Sequence, residues 1–277
     1  MMHLKTNLSH LPRKCLVVAG LAAFIASINC AHATLVLDWS SSTYNPSSGF
    51  WLDSIGFVTA TPIGSPTLVA GAFSGGEPGI SLNGSNQYFT VNTGLEPQNL
   101  DTFTIAAVFK ARVNGSTGAN WYQGTGVVGM EQPGIVNDFG LGWNGNKVEG
   151  GIGIGGGSDQ TLLSSSTFAL NSTIAEAMTV NASTGTVTLY ANGSLVGQIS
   201  GLTIAARNSG GYGLGAITVN GDNKLNGFLG EIQIYDSVED GRALTSSLLT
   251  AYTVPEPGSA ILVLTGLAAL SRRYRRP

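Results

Sequence analysis

The chain has 277 residues, 39 of them glycine, with 43% hydrophobic and only 10% charged residues and a net charge of −3. Abundant glycine with little charge excludes coiled coil, long helical bundle and charge-rich disorder, and the lack of a Gly-X-Y period excludes collagen. A positive mean hydropathy of +0.19 leaves enough apolar residues to bury one large core.

Residues 1–33 read as an export leader. Lys5, Arg13 and Lys14 make a basic start, Cys15 to Ile28 is an apolar run, and Ala31-His32-Ala33 supplies the small-x-small pattern that signal peptidase cuts, here before Thr34. His3, His10, His32, Cys15 and Cys30 are the only His and Cys residues, and all lie in this leader. A chain cut after Ala33 therefore holds neither type, which removes disulfide scaffolds, thiolate or imidazole zinc sites, Cys nucleophiles and Ser-His-Asp triads. Ser27-Ile28-Asn29 lacks the Leu and small residue usual before a lipidated cysteine, so Cys30 is not read as a lipid anchor.

The domain is expected over residues 34–253. From Thr34 to Val254 six basic residues face fifteen acidic ones, a net charge of −9, with no basic stripe for nucleic acid. Thr102 to Ala111 is rich in β-branched and aromatic residues and reads as a strand. A hairpin follows from Phe139-Gly140-Leu141-Gly142-Trp143 through Asn144-Gly145-Asn146 into Lys147 to Ile154. A second spans Thr186 to Ile199 with Asn192-Gly193 at its tip, since Asn-Gly tolerates the positive φ that a two-residue turn demands. Further Asn-Gly pairs stand at Asn83, Asn114, Asn220 and Asn226. Gly230 to Tyr235 places Ile232 and Ile234 on one strand face, and only Ala243 to Tyr252 has helical spacing. Many short strands between turns predict an all-β fold, an antiparallel two-sheet sandwich.

Four segments resemble concanavalin A-like, laminin-G-like jelly-roll domains. Ile80-Ser81-Leu82-Asn83-Gly84-Ser85-Asn86-Gln87-Tyr88-Phe89 resembles their opening motif, and Thr102 to Phe109 their FTISAWV strand with Val108 in place of the tryptophan. Thr184 to Gly193 is similar to their G-x-x-x-L-Y-V-N-G hairpin, and Phe228 to Asp236 to their closing strand. The usual W-H-H-V-A strand has no counterpart between Phe168 and Val180. The resemblance implies a domain that binds or organises exopolysaccharide or surface glycan. The alternative is a secreted polysaccharide hydrolase, since some members of the fold are glucanases.

Neither active-site nor ligand residues announce themselves strongly. The E-x-D-x-(x)-E strand of jelly-roll glucanases is missing, because Asp236 stands five residues from Glu231 and so on the opposite face of a regular strand. No catalytic residue is expected on that ground. Glu131 to Asp138 presents oxygen ligands in a turn-rich segment, and two readings of Asn137 and Asp138 stand: Asx-turn residues, or ligands of a loop calcium ion. Trp121, Tyr122 and Trp143 are candidates for stacking on sugar rings, with core packing the other reading, while Trp39 and Trp51 are expected in the core. Gly153 to Ser158 is glycine-rich, but no helix or P-loop lysine follows, so it is read as a hairpin loop.

The chain ends in a second address. Val254-Pro255-Glu256-Pro257-Gly258 precedes the apolar run Ser259 to Leu270 and then Arg272, Arg273, Arg275 and Arg276. As a helix this run is marginal for a bilayer of about 30 Å, and the arginines should stay cytoplasmic. The arrangement resembles the PEP-CTERM sorting signal of Gram-negative, exopolysaccharide-producing bacteria. That resemblance implies transient anchoring in the inner membrane, cleavage near Pro255-Glu256-Pro257 by an exosortase, and a place at the cell surface or in the extracellular matrix.

Overall fold

The computed structural model describes residues 33–55, 58–92, 100–134, 137–155, 159–207 and 210–255. The expected leader helix, with Ala31, and the expected membrane helix with its sorting residues Glu256, Pro257, Arg272, Arg273, Arg275 and Arg276 lie outside these residues. Among the described residues no helix is long and apolar enough to cross a membrane.

The described residues form seventeen short strands and one α-helix. In order they are β1 (Leu35–Ser40), β2 (Tyr44–Asn45), β3 (Phe50–Leu52), β4 (Thr59–Ile63), β5 (Thr67–Val69) and β6 (Gly79–Asn83). Next come β7 (Tyr88–Val91), β8 (Phe103–Ala111), β9 (Thr125–Gly129), β10 (Phe139–Asn144), β11 (Lys147–Ile152) and β12 (Gln160–Leu163). Then follow β13 (Ile174–Asn181), β14 (Thr186–Ala191), β15 (Ser194–Ile199), β16 (Tyr212–Leu214), β17 (Asn226–Tyr235) and helix α1 (Gly241–Thr253). The back sheet runs β15-β14-β13-β8-β17-β6-β5, with β1 also on β17, and the front sheet runs β12-β11-β10-β9-β16-β7-β4-β3-β2. Every strand pair is antiparallel, as the turn-rich pattern predicts.

Aromatic edge-to-face contacts join the sheets. Phe103 and Phe109 of β8 meet Phe139 and Trp143 of β10 at 5.2 and 6.0 Å between ring centres, and Trp39 of β1 meets Tyr212 of β16 at 6.1 Å. Trp39 and Trp51 are fully buried, as expected.

All nine residues of β8 are buried, because the sheet is covered on both sides. Inward-facing Phe103, Ile105, Ala107 and Phe109 enter the sandwich, while Ala106 and Val108 pack outward with Ala175, Ala177 and Phe73 against Leu248 and Tyr252 of α1. Val108, which stands where the family motif has tryptophan, is buried in this layer under the helix. Asp240 caps α1, its carboxylate accepting from the Arg242 and Ala243 amides, so the helix begins two residues before the apolar spacing indicates. The Asn192-Gly193 tip is confirmed with φ of 49° and 76°. At the start of the domain Thr34 and Asp236 clasp each other: the Thr34 amide donates to the Asp236 carboxylate at 2.7 Å, and the Asp236 amide to the Thr34 carbonyl at 3.0 Å.

Candidate functional site

The outer face of the front sheet is the broad surface on which a sugar chain could be expected to lie, and the chain itself fills it. Phe139, Leu141 and Trp143 of β10 point inward, so Gly140 and Gly142 point out, joined there by Gly126 and Gly129 of β9 and Gly151 of β11. A short 3-10 turn, Trp121–Gln123, lies on this glycine floor. A β-carbon on Gly151 would come within 2.4 Å of the Trp121 ring, and one on Gly140 within 2.6 Å. Beside it Ile217 presses on the backbone of Gly126 and Gly129 in the same way.

Trp121 is therefore only 1% exposed, and its indole presents no free face. Trp143 is also 1% exposed, packed on Phe109 and donating its Nε1 to the Val113 carbonyl. The expectation that these two rings stack on sugar is thus replaced by core packing. Tyr122 is half-buried, edge-on to Trp121, its hydroxyl accepting from Asn120.

Beneath the turn lies Glu149, fully buried, one oxygen accepting from Asn144 Nδ2 at 2.8 Å and the other without a hydrogen bond. Burial pushes its carboxyl up to about 7, partly opposed by the Asn144 bond. Glu176 of β13 is buried between the sheets, flanked across the ladder by Ala107 and Ala191, and neither oxygen has a hydrogen-bond partner among the described residues. Burial, with the nearby Glu149 charge, holds its carboxyl well above the usual range.

A third carboxyl centre lies on the far side of the sandwich. Ser40 pairs with Glu231 and Asp38 with Gln233, which sets the Asp38 and Glu231 carboxyls together on the outer face of the back sheet. Burial, and then the nearby Asp38 charge, push the Glu231 carboxyl up to about 7. Gln233 donates to Glu231, Tyr235 to Gln233, and Ser54 to Asp38. Sequence reasoning weighed Glu231 only against Asp236, because Asp38 reaches it through a strand pair almost two hundred residues away.

Asn137 and Asp138 do come together with other acids, but as parts of a closed network. Asn137 Oδ1 accepts from the Gly155 amide at 2.7 Å, and Asp138 Oδ2 from the Gln132 amide at 3.2 Å. Burial lifts Asp138 to about 7, with Asp159 and Glu131 adding to it. The buried Arg207 guanidinium donates to the carbonyls of Asp138 and Gly153 and supplies the positive charge that the calcium expectation assigned to a metal. No three His, Cys, Asp or Glu side chains among the described residues are grouped to hold a metal. Thermal unfolding should accordingly be the same in calcium and in EDTA. A calcium-dependent rise approaching the ~2.7 kcal/mol of a hundredfold excess over Kd would restore Asp138 as a ligand.

A concavity stays open at the rim of the sandwich. It encloses about 210 Å³ and is lined by Gly84, Val113 to Ser116, Thr125, Trp143 and Lys224 to Asn226. Three of the Asn-Gly pairs, at Asn83, Asn114 and Asn226, converge here from the β6–β7 turn, the segment after β8 and the start of β17. The loops are tied to one another: Gly115 N donates to Gly145 O at 2.7 Å, Ser116 N to Thr125 Oγ1 at 2.9 Å, and Arg112 N to Asn226 O at 2.9 Å. Gly115 is obligatory, since a β-carbon there would stand 1.9 Å from the Trp143 carbonyl oxygen. The side chains of Asn114, Asn226 and Lys224 make no hydrogen bond with the described residues. The pocket thus offers two amides, the Ser116 hydroxyl and one ammonium on a fixed frame. Its signal in the sequence was the run of Asn-Gly pairs, read there only as turns.

No curated protein matches the sequence. Among solved structures, domain 4 of AbnA, an extracellular GH43 arabinanase from Geobacillus stearothermophilus in complex with arabinotriose, aligns with a TM-score of 0.55 at 18% identity, over 78% of this chain and 98% of that one. The binding domain of Paraclostridial Mosquitocidal Protein 1 aligns at 0.59 with 18% identity, over 79% and 52%. The Trypanosoma rangeli sialidase with 2,3-difluorosialic acid aligns at 0.56 with 14% identity, over 80% and 33%. These likenesses show the fold. Residues 83–244, more than half of the chain, match the family model of the laminin G type described as the concanavalin A-like lectin/glucanases superfamily, and to that superfamily the chain belongs.

Proposed function

We propose that the protein is an exported carbohydrate-binding module that uses the rim pocket to hold glycan at the cell surface or in the extracellular matrix. The carrying observation is the pocket itself: side-chain amides, a hydroxyl and an ammonium left unpaired on loops that are hydrogen-bonded into one frame. Such groups match the hydroxyls of a sugar, and a rigid frame lowers the ordering cost of binding. The arabinanase domain and the sialidase, both solved with saccharide-type ligands, support the same ligand class. The leader ending at Ala31-His32-Ala33 and the Pro255-Glu256-Pro257 tail support export by signal peptidase and sorting by an exosortase in a Gram-negative envelope. Absence of catalysis is part of the proposal, because the E-x-D-x-(x)-E strand of jelly-roll glucanases is missing from the sequence.

A glycan array probed with the full chain should show binding without turnover. Asn114→Ala and Asn226→Ala should each weaken it about tenfold, the loss of one to two hydrogen bonds, with the melting temperature unchanged. Release of reducing ends from a polysaccharide, abolished by Glu231→Gln, would replace this reading with the hydrolase.

A further inference from the structure

We propose that the sugar held in the rim pocket is anionic, carrying one carboxylate or one sulfate ester, with the Lys224 ammonium as its counter-charge. This rests on the carbohydrate-binding reading and gives its ligand a chemical class.

The charge distribution carries the argument. From Thr34 to Val254 acids outnumber bases fifteen to six, yet none of the ten residues lining the pocket is acidic and one is a lysine. Lys224 makes no ion pair with the described residues. The neighbouring cation is engaged elsewhere: Arg112 donates to the Leu82 carbonyl and the Ser81 hydroxyl and stacks on Phe228 at 4.1 Å.

Lys224 is also held in place. Its Nζ lies 5.7 Å from the centre of the Tyr88 ring, whose hydroxyl is anchored on the Asn220 carbonyl at 3.0 Å. Its backbone bridges to Gly126, and the next amide, Leu225, donates to the Gly215 carbonyl at 3.0 Å. A flexible lysine would lose much rotamer freedom on pairing with an anion, and one already confined loses less. Asn114 and Asn226 add amide donors beside it.

Size and field narrow the ligand further. A volume of about 210 Å³ leaves room for a short ligand of about one saccharide unit. The domain's net charge of −9 repels a long polyanion, so the favoured ligand is a short chain or a chain end bearing a single charged unit.

Three probes test this by calorimetric titration of the full chain: trigalacturonate, a monosulfated galactotriose and neutral galactotriose. At least one charged probe should bind tenfold or more tightly than the neutral one, and whichever does so identifies the anion. Lys224→Met should remove that preference, weakening the charged probe at least tenfold more than the neutral one, and Lys224→Arg should retain it. Equal affinity for all three, or a preference that survives Lys224→Met, overturns the anionic ligand and leaves the carbohydrate reading standing. If none of the three binds and the glycan array is also blank, both readings fall together.

Discussion

Thermal unfolding should occur at a higher temperature at pH 5 than at pH 8, the reverse of what paired surface carboxylates produce. Glu149, Glu231 and Asp138 are raised to about 7, and Glu176 lies well above its ordinary 4.5. Each is protonated in the folded chain at a pH where the unfolded chain has released its proton, so the folded state binds more protons. The stability they contribute is whole below about pH 4.5 and is lost as the pH climbs through 7. For Glu149 alone the change amounts to about 3 kcal/mol. In a domain of this size that corresponds to a shift on the order of 5–10 °C.

The variants separate this from the general relief of negative charge at low pH. Glu176→Met replaces a carboxyl without partners by an apolar side chain of similar length, next to Ala107, Ala191 and Met178. It should raise the midpoint strongly at pH 8 and little at pH 5, and Glu149→Gln should flatten the profile by its own share. A midpoint equal or higher at pH 8 in the parent chain would show that these carboxyls are ionised and solvated.

Trp121→Ala should lower the melting temperature by about 10 °C, from a loss of roughly 3–5 kcal/mol, with glycan binding retained. The ring fills the space over Gly140 and Gly151. Gly151→Val should cost a similar amount from the other side, because its side chain would collide with Trp121 and with the Gln160 carbonyl. A sugar platform would give the opposite pattern: binding lost, stability kept. Differential scanning calorimetry of the two variants beside the glycan array decides between them.

What the sequence made legible was local. The β8 strand, the Asn192-Gly193 hairpin, the alternation in β17 and the helix near the end are each written within about ten residues, where side-chain periodicity and turn chemistry act. The glycine floor was not legible, because alternating glycines in β10 and β11 look like a weak strand until Trp121 folds over them. Trp121 itself sits among glycines and polar residues, the composition of an exposed loop. Glu176 stood in an apolar run with nothing to show that its partners would be alanines. The rim pocket needs three turns from distant parts of the chain, and their convergence is a property of strand order, which no window of residues contains.

The clasp between Thr34 and Asp236 bears on the proposed removal of the leader. In the uncut chain, Thr34 offers an ordinary peptide amide to the Asp236 carboxylate. A cut after Ala33 would turn that donor into an ammonium, charged and already in hydrogen-bonding contact with the carboxylate. Removal of the leader would then strengthen the first strand's hold on β17. A cut one residue later would take the Thr34 donor away and leave Asp236 Oδ1 only the Ser237 hydroxyl, so the strand register would favour one new end over its neighbours.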